Sequence, residues 1–249
     1  MLTNNDSIHI SRSRLRVVFF GLLFLQSGLA AGVSTTQIDR FTDGTLQGWA
    51  MGSTSVTNSH MTNIATGGPA GTGDRYLEVL ADNTTVAGGR LTFFNKAQWI
   101  GDYPGAGITA IAMDLKNFSS TEALNLRLAI EGGPNALVGG LFATTASVSL
   151  VSGSDWTHVV FSLAPGDLVP VSGNSGVTGN NVTAALGNVV ELRLLNSVNP
   201  DWTGAPVTAT LGIDKISAVV VPLPLALLLF GSGLIGFYTL QFRRRRSFW

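Results

Sequence analysis

The chain contains no cysteine in its 249 residues, which excludes a disulfide framework and thiolate chemistry. Histidine is scarce too, at three residues, His9, His60 and His158. No metalloprotease helix, nucleophile elbow or other motif with a mechanism surrounds any of them. Charged residues amount to only 12%, and the formal balance of zero conceals segregation. Basic residues cluster at both ends, while residues 31–218 hold eight Lys/Arg against fourteen Asp/Glu, about −6. A body of that sign offers no basic footprint for nucleic acid. Apolar repeats at helical spacing are missing across the same region, and no fixed period marks a repeat protein. The glycine loop Gly67–Asp74 lacks the Lys-Ser/Thr that would hold phosphate and magnesium.

What is present divides into three parts. Residues 1–30 carry Arg12, Arg14 and Arg16, then the apolar run Val17–Leu25. Gly28 and Ala30 follow at the −3 and −1 places of a cleavage site, the pattern of a secretory signal peptide. Such a segment leads through the Sec export machinery. At the other end, residues 219–249 hold Val221-Pro222-Leu223-Pro224, an apolar run 225–242 and the cluster Arg243, Arg244, Arg245, Arg246. Eighteen apolar residues make a helix of ~27 Å, close to the ~30 Å hydrocarbon core of a bilayer. The arginines are expected on the cytoplasmic side, which places the body outside. Pro224 suits the first turn of such a helix.

The order of proline motif, glycine-rich apolar helix (Leu229–Gly236) and arginine cluster resembles the PEP-CTERM class of bacterial sorting signals. More closely it is similar to the variant that has Val-Pro-Leu-Pro-Ala in place of Pro-Glu-Pro, although Leu225 stands where that variant usually has alanine. The resemblance implies a Gram-negative host in which an exosortase recognises the tail. The protein would be anchored in the inner membrane before processing, then released or transferred to the cell surface or extracellular matrix. A plain C-terminal anchor is the alternative.

Between the two ends, residues 31–218 read as one all-β domain. Strands are expected near 38–41, 49–57, 76–80, 89–94, 108–115, 124–131, 139–150, 157–163, 189–194 and 207–216, with a helical turn at 183–186. Leu124, Leu126, Leu128 and Ile130 alternate with Asn125, Arg127 and Ala129, and Val159, Phe161 and Leu163 with His158, Val160 and Ser162. This period of two predicts a β-sandwich or jelly roll. Phe41–Trp49, Asp155–Leu163 and Leu211–Ile216 resemble strands of carbohydrate-binding-module-like jelly rolls, and Phe94–Tyr103 is similar to the laminin B (domain IV) type. That resemblance implies a galactose-binding-like fold, a non-catalytic glycan or matrix module, and often a structural calcium.

Candidate sites follow. Trp99, Tyr103 and Trp202 fall in loop-like segments where rings could stack on a sugar, with Asp102, Asn199 and Asp201 taking hydroxyls. Asp39, Asp74 and Asp214 are the carboxylates that could supply a structural Ca2+. Trp49 and Trp156 are expected in the core, and His158 on a solvated face. A secreted polysaccharide hydrolase using two carboxylates, or a purely structural surface protein, are the competing functions.

Overall fold

The computed structural model describes residues 32–52, 60–84, 89–173 and 180–220. The expected cleavage residues Gly28 and Ala30, the motif Val221, Pro222, Leu223 and Pro224, the apolar run 225–242 and Arg243–Arg246 lie outside the described residues. Among the described residues, no helix is long and apolar enough to cross a membrane.

Among the described residues, thirteen strands pack as two antiparallel sheets. They are β1 (Ile38–Asp39), β2 (Trp49–Met51), β3 (Met61–Ile64), β4 (Tyr76–Asp82), β5 (Thr92–Asn95), β6 (Ile108–Asn117) and β7 (Leu124–Gly132). Then come β8 (Leu141–Thr144), β9 (Val148–Leu150), β10 (Thr157–Ser162), β11 (Leu168–Pro170), β12 (Val189–Asn196) and β13 (Thr208–Val220). One sheet runs β10-β6-β13-β4-β3 with β1 on β13; the other runs β11-β8-β7-β12-β5-β2 with β9 on β7. Two short helices, α1 (Ala136–Gly139) and α2 (Val182–Leu186), cap connections.

The all-β sandwich is what the alternation predicts. Leu124, Leu126, Leu128 and Ile130 are fully buried between the sheets, as are Leu211 and Ile213. Each such side chain contributes roughly 1.5–3 kcal/mol relative to exposure. The predicted strand 139–150 divides into β8 and β9, with α1 before them, and β3 and β11 are strands that their short, weakly alternating sequences do not announce. β13 runs through Val219 and Val220, residues that the sequence reading assigns to the tail.

Asp39 closes one end of the sandwich. Its Oδ2 accepts from the indole Nε1 of Trp49 (2.8 Å) and of Trp99 (2.7 Å), while Gln98 Nε2 and Gln37 Nε2 donate at 3.2 Å. Four donors on one buried carboxylate fix β1, β2 and the turn after β5 to each other. Asp39→Ala would leave two buried indole N–H groups without an acceptor, so the expected loss is about 3–5 kcal/mol of unfolding free energy. Asp39→Asn keeps one acceptor oxygen, and its loss should be roughly half of that. Urea melts of both variants check the order, which would fail if the two proved equally mild.

Candidate functional site

The sequence-predicted aromatic residues are not exposed. Trp99 and Tyr103 are both 0% accessible and Trp202 is 8%. Trp99 is tied to Asp39, and Tyr103 donates its hydroxyl to Trp99 O at 2.9 Å. Asn95 tightens the turn that buries them, its Oδ1 accepting from Ala97 N and Gln98 N at 2.8 and 3.1 Å. Asp102 accepts from Gly105 N at 2.8 Å and so holds its own turn. Rings sealed in this way have no face to offer a sugar.

Asn199, Asp201 and Trp202 share one loop, which folds over the outer face of the β7–β12 sheet. Asp201 Oδ1 accepts from Trp202 N at 2.7 Å, and Asn199 O from Ser197 Oγ at 2.6 Å. The Trp202 ring lies over the Arg193 guanidinium at 3.9 Å and packs with Ala129, Leu141, Ala143, Val171 and Leu195. Arg193 is fixed in turn by Glu191, whose other oxygen pairs with Lys96 at 2.9 Å. Arg127 then clamps the loop, donating to the carbonyls of Ser197, Thr144, Thr145 and Val198. Burial pulls its guanidinium below the ordinary arginine value. This face is therefore covered by the protein's own chain.

The opposite outer face, that of the β10-β6-β13-β4-β3 sheet, is open, and three rings meet on it. Tyr76 stacks on Phe118 (centroids 5.8 Å, planes at 26°), and Trp156 meets both edge-on at 5.3 and 6.3 Å. They come from β4, the end of β6 and the start of β10. Gly212 of β13 makes the approach possible, because a Cβ there would stand 2.7 Å from Phe118 and 2.9 Å from Trp156. Trp156 Nε1 donates to Gly67 O at 3.0 Å, which fixes the ring against the glycine loop. Phe118 remains 37% accessible, Trp156 is half-buried, and Lys116 Nζ stands 5.1 Å over the Phe118 ring. The expectation that Trp156 joins the core fails because it lies in phase with His158, on the outward side of the strand. This shelf is the candidate ligand surface.

Charged groups run across the same face. His158 Nδ1 lies 2.7 Å from Asp114 Oδ1, and Lys215 Nζ donates to Asp114 Oδ2 at 3.1 Å. Asp214, paired in register with Asp114, is 1% accessible, and its Oδ1 has no hydrogen-bond partner. Asp214 faces outward in phase with Gly212, and a one-residue bulge between Asp214 and Ser217 returns Ile216 to the inward side, with Lys215 at φ 50°. Burial pushes the Asp214 carboxyl up to about 7; Asp74 and Asp114 push the same way, against the Lys215 N–H and ammonium.

The three carboxylates expected to share a calcium do not converge. Asp39 is saturated by four N–H donors between the sheets. Asp74 holds its glycine loop, accepting from Ala70 N at 2.7 Å. Among the described residues no three acidic, histidine or cysteine side chains form a group that could hold a metal ion. The set does not fit calcium, which wants six to eight oxygens.

No known family's sequence profile matches the chain, and no curated protein sequence matches it. Solved structures share its outline. An exo-beta-agarase has TM-score 0.49 at 14% identity over 76% of this chain, which spans about a quarter (26%) of the agarase. The family 11 carbohydrate-binding module CtCBM11 has TM-score 0.49 at 16% identity, covering 78% of this chain and all of that one. The Clostridium thermocellum module of that family, in complex with a beta-1,3-1,4-mixed-linked tetrasaccharide, has TM-score 0.45 at 15% identity, covering 76% and 97%. Likenesses of this grade carry no argument about a ligand.

Asp214 gives the domain a pH signature. Its folded value of about 7 exceeds the ordinary 3.8, so between those values the folded state binds more protons than the unfolded chain. Stability therefore falls as pH rises from about 4 to 7 and levels off above. The charged groups acting on it are Asp74, Asp114 and Lys215, and His158 lies against Asp114. Asp214→Asn is expected to flatten the slope and to gain on the order of 3 kcal/mol at pH 8. Urea melts at pH 4.5, 6 and 8 check this, with His158→Gln as a second control on the same face. An unchanged slope in Asp214→Asn would refute it.

Proposed function

We propose that this chain is an exported, non-catalytic glycan-binding β-sandwich that works at the cell surface or in the exopolysaccharide matrix. The observation that carries the reading is the pair Phe118 and Trp156, backed by the buried Tyr76, on the sheet face left open among the described residues. Flat, immobilised rings present the apolar surface on which the C–H face of a pyranose stacks, and the polar side chains beside them can take hydroxyls. Trp156 is held by Gly67 O and by contact with both other rings, so little side-chain freedom is lost on binding. The loop residues Asn199, Asp201 and Trp202 close the other face and take a structural part in this reading, as do Trp99, Asp102 and Tyr103 at the sandwich end.

Export rests on the sequence of the two ends. The signal segment with Gly28 and Ala30 directs the chain through the Sec machinery. The tail from Val221 to Trp249 holds it in the inner membrane until an exosortase acts near Pro222 and Pro224. Calcium takes no part in this reading, because its proposed ligands do not converge.

Trp156→Ala is expected to reduce binding to the host's own exopolysaccharide by roughly tenfold or more, as loss of one well-placed aromatic commonly does. Trp202→Ala should lower the melting temperature instead, since it unpacks Arg193. Pull-down on the isolated polymer, read beside melting curves, separates the two. If Trp156→Ala binds as well as the parent protein, the shelf is not the site. Reducing-sugar release from the polymer would favour a hydrolase. For sorting, intact mass of protein recovered from the cell surface should lack the residues after the proline motif, and a full-length mass would leave the plain-anchor reading.

A further inference from the structure

The surroundings of the shelf are strongly one-sided in charge. Asp74, Glu78, Asp114, Asp155 and Asp214 stand on or beside it, against Lys116 and Lys215. Lys215 is already engaged with Asp114 at 3.1 Å, and Lys116 sits 3.6 Å from Asp155. The Asp155 side chain is fully exposed at the rim, next to Trp156. On the same face as Gly212, Asp214 carries a buried oxygen with no donor among the described residues. A buried carboxylate oxygen without a partner is rare in folded proteins and calls for an explanation.

We infer that the shelf takes a cationic glycan, an amino-sugar polymer whose hexosamine units carry free ammonium groups. This rests on the glycan reading above and narrows its substrate class. The pyranose C–H face lies on Trp156, whose ring stands at 89° to Phe118, and the ammonium stands among the carboxylates at the rim, with Asp155 and Asp74 as the reachable groups. The ammonium of Lys116 already stands 5.1 Å over the Phe118 ring, so the glycan ammonium is placed on the Trp156 side, beside Asp155. Asp214 acts through its field rather than by contact. Uronic acid polymers are repelled by the same carboxylates, and N-acetylated polymers lack the charge that the site favours.

Linkage gives a second, independent signature. An ammonium placed over the face favours the charged form of Asp214, so binding near pH 7 expels a proton from that carboxyl. The same carboxylates favour the ammonium form of the glycan amine, which takes up protons near pH 7, so the net exchange is the difference of the two and Asp214→Asn shifts it toward uptake.

The experiment is calorimetric titration of the full chain at pH 7 with three probes: a fully deacetylated chitosan hexamer, the fully acetylated chitin hexamer and a guluronate hexamer. Chitosan is expected to bind about tenfold or more tightly than chitin, and guluronate not measurably. Asp155→Asn, fully exposed and therefore harmless to folding, should weaken chitosan several-fold and leave chitin unchanged. Heats in two buffers of different ionisation enthalpy should show a net proton exchange that moves toward uptake in Asp214→Asn relative to the parent. Equal binding of chitosan and chitin, both lost in Trp156→Ala, overturns the charge selection and leaves the glycan reading standing. Chitosan binding that survives Trp156→Ala places the cation elsewhere and overturns the proposal. Failure of all three probes, together with the host polymer, overturns both readings.

Discussion

One buried carboxylate organises the closed end of this sandwich. Asp39 lies in a two-residue strand that would be too short to hold a position by ladder hydrogen bonds alone. Two indole N–H groups and two glutamine amides meet on it, so the strand is fixed by side chains rather than by backbone. The same contacts bury Trp49 and Trp99 and bring the turn after β5 against β2. Gln98 also donates to Gln47 O, and Asn95 Nδ2 does so at 3.1 Å, which continues the network into the left-handed turn at Gln47 and Gly48. Removing the carboxylate from such a site is more damaging than its exposure to solvent would suggest, because the two indole donors beside it are equally cut off from water.

The two outer faces show how function is channelled. Arg127 is a buried cation with no carboxylate partner among the described residues; four backbone carbonyls satisfy it instead. Those carbonyls belong to the β8 end and to the 196–206 loop, so the arginine draws the loop onto the sheet. Trp202 then seats on Arg193, and the outward residues Ala129 and Leu195 become a second, small apolar core. A face built like this has spent its aromatic surface on its own chain. The other sheet keeps Phe118 and Trp156 in reach of solvent, and that asymmetry carries the assignment of the ligand surface.

The fold was readable because alternation survives in the long strands. Leu124–Ile130 and Val159–Leu163 fall on the faces that their parity demands, and only strands of three or four residues, such as β3 and β11, escape a period of two. The site was less readable, for a different reason. Parity alone places Trp156 outward with His158, Tyr76 with Glu78, and Phe118 with Lys116. It does not say that these three residues, 42 and 38 positions apart in sequence, share one corner. That depends on register across β4, β13, β6 and β10, and on the missing side chain at Gly212. In the opposite direction, Trp99, Tyr103 and Trp202 look exposed because glycine, proline and aspartate surround them. Those residues form turns that tuck the rings inward, with Asp102 and Asp201 serving the turns themselves.

Asp214 links the fold to the surface chemistry. An ordinary sandwich strand would place a threonine or valine there and lose nothing in packing. A carboxyl at that position opposes Asp114 across the strand pair and leaves one oxygen unsatisfied, a local conflict in a domain whose other buried polar groups are largely paired. Local conflicts of this kind are expected where a site must stay incomplete until a ligand arrives. The bulge at Lys215 supports the same view, since a non-glycine residue in the left-handed region is tolerated only where its surroundings hold it. The strand could have been regular, with Lys215 inward and unpaired. Instead the bulge keeps Ile216 in the core and sends the lysine to Asp114, while Asp214 stays on the face of the rings. The neighbouring acid is thereby neutralised, and Asp214 is left as the group that responds when positive charge comes to the shelf.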